Sequence, residues 1–124
     1  MTRLHPMISW ARWLLGFEVL LFAAASLVHA GLLFGGYDHM RAATAEGVIA
    51  TVLVLGLIGY LVRPASARMI VLVVQAFALF GTLVGAFTIA IGIGPQTTAD
   101  YVFHLFLLAV LISGLVAVLR QNGR

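Results

Sequence analysis

The chain has 124 residues, of which 63% are hydrophobic and 9% charged, with a formal net charge of +3. Ordinary globular domains carry roughly 45–50% apolar and about 25% charged residues, so a water-soluble fold of this size has no way to hide so much apolar surface. Cysteine is absent, which excludes disulfides, thiolate metal sites and thiol redox chemistry. The seven basic residues are all Arg and stand singly between apolar runs, which argues against nucleic acid as a partner.

Four apolar runs, residues 13–34, 45–62, 69–93 and 101–119, are each long enough to cross about 30 Å of hydrocarbon. Short connections join them, which favours antiparallel neighbours. The expected fold is therefore an all-α integral membrane protein, a single domain over 1–124 built as an antiparallel bundle of four transmembrane helices.

The first run follows a basic start and ends near Val28-His29-Ala30, so residues 1–30 also have the outline of a cleavable signal peptide. Glu18 inside the run and the apolar continuation Gly31-Leu32-Leu33-Phe34 favour a span that is retained. Glu18 and His29 are 11 residues apart, three turns plus roughly 20°, so they share one face about 16 Å apart in height. Trp10 and Trp13 near its start, with Tyr37 in the loop that follows, fit interfacial aromatic belts, and His5 falls in the tail.

The second run is entered through Thr44-Ala45-Glu46, where an acid complements the positive end of a helix dipole, and it carries Tyr60 further along. The third is rich in small residues, with Gly81-Thr82-Leu83-Val84-Gly85 as a GxxxG pattern suited to close helix packing within the bundle. Gln75 and Thr82 share one face of it. The fourth is entered through Thr97-Thr98-Ala99-Asp100, a capping box, and His104 follows Asp100 by one turn. The openings of the second and fourth runs look faintly alike, yet two competing registers fit them, so an internal repeat is weakly marked.

Arg3, Arg12, Arg63, Arg68, Arg120 and Arg124 fall on one side of the runs and Arg41 alone on the other. By the positive-inside rule both termini and the 63–68 connection are cytoplasmic, which places the chain in a plasma (inner) membrane with residues 35–44 and 94–99 on the outer side.

Ionisable groups within hydrocarbon are costly and mark functional candidates. His29, Glu46, Asp100 and His104 fall at one depth near the outer face, and His39 in the outer loop can fold over them. An inner layer holds Glu18, Tyr60, Gln75 and Ser113. Capping accounts for Asp100 and Glu46, but not for His29 or His104, which need a carboxylate, a metal or a cofactor as partner.

Two imidazoles with two carboxylates make a mixed N/O donor set for zinc, copper, iron or manganese, so the leading reading is a transition-metal site of His29, Glu46, Asp100 and His104. A different class of function is proton or ion coupling through Glu18 and His29, or service as an accessory subunit of a larger membrane complex in which the cluster is structural or relays protons. Four helices make a small transporter, so that reading calls for a homo-oligomer or a larger complex in the lipid bilayer. A third reading is a single b-type haem with His29 and His104 as axial ligands. No phosphate loop, nucleophile elbow or zinc-protease motif is present, so no catalytic residue is assigned and an enzyme is the less favoured class.

Overall fold

A computed structural model of the protein describes residues 9–121. Arg3, His5 and Arg124, used above for orientation and tail assignment, lie outside the described residues. Four long helices account for most of the chain: α1 Ser9–His29, α2 Met40–Val62, α3 Ala67–Ala90 and α4 Thr98–Arg120, with a single 3₁₀ turn at Pro64–Ser66 before α3. No strand occurs among the described residues. All four helices are long and apolar enough to cross a membrane, as in a multi-pass membrane protein.

Helix ends differ from the apolar runs in an instructive way. Helix α1 stops at His29 rather than at Phe34, because Gly31 adopts a left-handed φ of 77°. Its N–H bonds to Val28 O at 3.0 Å while Leu32 N–H reaches back to Leu27 O at 3.0 Å, the paired bonds of a Schellman stop. Helix α3 ends by the same device, with Gly92 at φ 83°, Gly92 N–H on Ile89 O at 3.1 Å and Ile93 N–H on Thr88 O at 2.9 Å. Hydropathy runs straight through both stops, since the residues beyond each glycine are still apolar.

Helix α2 begins at Met40, ahead of Thr44, because the His39 side chain caps it by accepting Ala42 N–H at 3.2 Å. Thr44 lies inside the helix and donates its hydroxyl to Met40 O at 2.9 Å. Helix α4 starts as the capping box predicts, with Thr97 as N-cap and Asp100 reaching back to it. Helix α1 already includes Ser9, the first described residue, so Arg12 is within the helix, with its guanidinium 5.4 Å from the centre of the Trp13 ring.

Apolar side chains face both ways. Leu15, Phe22, Leu53, Val71, Ala78, Leu107 and Leu111 form the fully enclosed core, while Leu20, Leu55, Phe80 and Leu105 point outward with more than half their surface free. An outward apolar face on every helix suits contact with lipid tails, and it means that packing, rather than removal of apolar area from water, holds the helices together. All seven buried polar side chains among the described residues, Glu18, His29, Glu46, Gln75, Thr82, Asp100 and His104, are turned inward.

Small residues set how closely the helices approach. A Cβ at Gly56 of α2 would come within 2.6 Å of Val74 Cγ1 on α3, and one at Gly81 of α3 within 2.8 Å of Ile49 Cδ1 on α2. Gly85, the other member of the GxxxG pattern, faces α4, where a Cβ would sit 3.4 Å from His104 Nε2. The stripe therefore serves two internal neighbours.

Candidate functional site

Because α1 is stopped so early, His29 is its last residue, and its side chain is 4% exposed where the first turns of α2 and α4 meet it. Its Nδ1 is 2.7 Å from Glu46 Oε2 and its Nε2 is 3.0 Å from Asp100 Oδ1. One imidazole thus joins three helices through two carboxylates. Ser26, one turn earlier on α1, donates its hydroxyl to Ala43 O at 2.7 Å and ties the same α1–α2 contact.

Asp100 serves two purposes at once. Its Oδ2 accepts Thr97 N–H at 3.1 Å and the Thr97 hydroxyl at 2.5 Å, while Oδ1 faces His29. The cap and the interhelical bond use different oxygens, so the ordinary helix-entry chemistry fixes the carboxylate for its contact with His29. With two Thr97 donors on Oδ2 and a His29 nitrogen beside Oδ1, this carboxylate has the surroundings of an acceptor.

Glu46 is placed differently. Only Oε2 is bonded, and Oε1 is buried without a hydrogen-bond partner. Glu46 and His104 both line a small, partly open cavity of about 40 Å³, together with Phe22, Ile49, Thr82 and Leu107. That volume is enough for a water molecule.

His104 does not join His29. Its Nδ1–H donates to Asp100 O at 2.9 Å, one turn back on its own helix, and Nε2 is directed toward Gly85. Of the four expected ligands the fold thus brings Glu46 and Asp100 each onto His29, while His104 bonds its own helix and shares a cavity with Glu46. Among the described residues no group of three or more His, Asp or Glu is arranged so as to hold a metal ion.

His39 lies beside the cluster, its backbone N–H donating to His29 O at 2.8 Å, but its side chain bonds elsewhere. Having used Nδ1 to cap α2, it donates Nε2–H to Ile93 O at 3.2 Å and fastens the α1–α2 connection to the α3–α4 connection. The sequence places the opening of this run at Thr44-Ala45-Glu46 and assigns His39 no capping role. A His immediately before the true first turn was the signal available.

Near the middle of the bundle, two of the four inner-layer residues meet. Gln75 Nε2–H of α3 donates to Glu18 Oε2 of α1, both side chains being wholly enclosed. Tyr60 packs beside the apolar core, and Ser113 lines a groove of about 440 Å³ between α1 and α4 with Trp10, Leu14, Phe17 and Gly114.

An imidazole between two carboxylates has a definite proton requirement. An ionised carboxylate only accepts, so each ring nitrogen that touches one must donate, and a neutral imidazole has a single N–H to give. The Nε2–H faces the ionised Asp100. One further proton must then occupy the Nδ1–Oε2 contact, whether nearer the nitrogen or nearer the oxygen, and it belongs to the pair. The arrangement can bind a proton, release it, and change the contact between α1 and α2 when it does so.

No protein-family model matches the chain, and no curated protein or solved structure matches it.

Proposed function

We propose that the protein is a proton-coupled multi-pass protein of the plasma (inner) membrane, an antiparallel four-helix bundle with both termini cytoplasmic. In this reading the cluster of His29, Glu46 and Asp100 at the outer face binds and releases one proton. The supporting observation is that both nitrogens of His29 face carboxylate oxygens, at 2.7 and 3.0 Å. Loss of the shared proton sets an imidazole lone pair against the Glu46 carboxylate, and the α1–α2 contact weakens at the point where three helices are joined. Protonation and helix packing are thereby linked, which is the element that a small coupling protein or an accessory subunit of a larger membrane complex requires. The opposite chain order of the α2 and α3 contacts, Ile49 on Gly81 but Gly56 on Val74, supports antiparallel packing.

Reconstitution tests this reading. Vesicles containing the protein and an internal pH indicator should take up or lose protons faster than protein-free vesicles when a pH step is applied, and His29→Gln should abolish the difference. Equal rates for wild type, His29→Gln and empty vesicles would overturn it.

Metal binding is the second reading, and one observation favours it: Glu46 Oε1 lacks a partner and shares a cavity with His104. One carboxylate oxygen and one imidazole nitrogen are fewer than the three protein ligands of a catalytic zinc site, so an ion there needs His29 or Asp100 to give up an existing bond. No observation favours a haem between His29 and His104. The space beside His104 is about 40 Å³, and the His29 nitrogens are both committed to carboxylates.

A further inference from the structure

The mid-bundle pair of Glu18 and Gln75 is separate from the cluster at the helix ends and carries its own conclusion. Glu18 is near the middle of α1 and Gln75 near the middle of α3, and neither side chain has any exposed surface. They are joined by a hydrogen bond from Gln75 Nε2–H to Glu18 Oε2. The other oxygen of each group, Glu18 Oε1 and Gln75 Oε1, is buried with no hydrogen-bond partner. No ion pair to Glu18 occurs among the described residues.

Two unpartnered acceptors at the free ends of two groups already bonded to each other is an expensive arrangement if Glu18 is ionised. It would leave a wholly buried carboxylate with a single neutral donor and no ion-pair partner among the described residues. A single proton on Glu18 Oε1 removes both deficits at once. A protonated carboxyl is a donor, and the residue already bonded to Glu18 carries a buried amide oxygen, Gln75 Oε1, that lacks one. The acid then gives O–H to Gln75 Oε1 while the amide gives N–H to Glu18 Oε2, closing a reciprocal ring of two hydrogen bonds.

We infer that Glu18 is a second proton-binding site, a neutral carboxylic acid within the membrane-spanning region, locked to α3 by a reciprocal pair with Gln75. The fold encloses this pair from a third side as well: a Cβ on Gly114 of α4 would come within 3.0 Å of Gln75 Oε1 and 2.7 Å of Leu14 Cδ2. A proton leaving Glu18 turns the O–H to oxygen contact into two opposed acceptors, so release requires α1 and α3 to part or water to enter between them. The site is therefore gated by helix packing rather than open to either membrane face. Its existence does not depend on the proton held by His29, and the two can fail separately.

The chain contains two glutamates, Glu18 and Glu46, which makes the test direct. Protein labelled with carbon-13 at the glutamate carboxyl and placed in lipid bilayers should show one carboxyl signal with the chemical shift of a protonated acid at neutral pH. That signal should correlate through space with the side-chain amide nitrogen of Gln75, and it should vanish in Glu18→Gln. The same variant should unfold at the wild-type temperature or above, because an amide at position 18 can form the same two hydrogen bonds. A Glu18 carboxyl with a carboxylate shift at neutral pH, or a Glu18→Gln protein that is markedly less stable or does not fold, would overturn the inference.

Discussion

His29 Nδ1 and Glu46 Oε2 approach to 2.7 Å across the α1–α2 interface, and this contact brings the end of one helix onto the body of the next. The third partner, Asp100, arrives already oriented by its capping bonds to Thr97. Two local stop-and-start signals, Gly31 after His29 and Thr97 before Asp100, thus place a three-helix junction.

Removal of the imidazole is the first prediction. His29→Ala leaves the buried Glu46 carboxylate without a donor and Asp100 Oδ1 without its partner, and a broken buried charge pair costs about 3–5 kcal/mol. Asp100→Asn and Glu46→Gln each leave one contact intact and should cost less. Thermal unfolding in a single detergent checks the order, and a His29→Ala protein as stable as Asp100→Asn would contradict it.

The capping contribution is separable. Thr97→Ala removes the hydroxyl that serves both as cap and as donor to Asp100, and loss of an N-cap costs about 0.5–2 kcal/mol. Thr97→Ser keeps the oxygen and should restore most of the loss. Comparison of both variants by equilibrium unfolding tests whether the hydroxyl, rather than the methyl group, matters.

Gly31 should tolerate little. Any side chain there meets both the left-handed φ of 77° and the Asp38 carboxylate, whose Oδ2 would be 2.9 Å from an added Cβ. The backbone term alone is about 1–2 kcal/mol. Gly31→Ala is expected to destabilise the protein and to displace His29, seen as a change in its ring nitrogen signals. Gly36, also at positive φ but in open space, should suffer the backbone cost without moving His29.

Topology is open to a clean experiment, since the chain has no Cys. Single cysteines at Tyr37 and Gln96 are expected to react with an impermeant thiol reagent added outside intact cells. One at Ala65 should react only after the membrane is opened. The opposite pattern would reverse the proposed orientation.

The number of spans and their rough extent were legible in the sequence, because about 30 Å of hydrocarbon imposes long apolar runs. Helix ends were not, and the reason is local. Leu32-Leu33-Phe34 and Ile91-Gly92-Ile93 are as apolar as the helices they follow, so the stop depends on one glycine's φ, to which hydropathy is blind. The shared depth of His29, Glu46 and Asp100 was readable from their positions in the runs. Their pairing was not, since it depends on helix rotation: the same depth argument drew in His104, which faces a cavity and its own helix backbone. Asp100 shows why capping and contact need not compete, for a carboxylate has two oxygens and uses one for each.

The central claim concerns the proton shared by His29 and Glu46, and nitrogen-15 NMR of the histidine rings in lipid bilayers, assigned with His29→Gln, tests it most directly. The account predicts that at neutral pH Nε2 carries a proton directed to Asp100 and that Nδ1 is protonated by, or in a strong hydrogen bond with, Glu46. A His29 ring with one bare nitrogen and no hydrogen bond to Glu46 would contradict it.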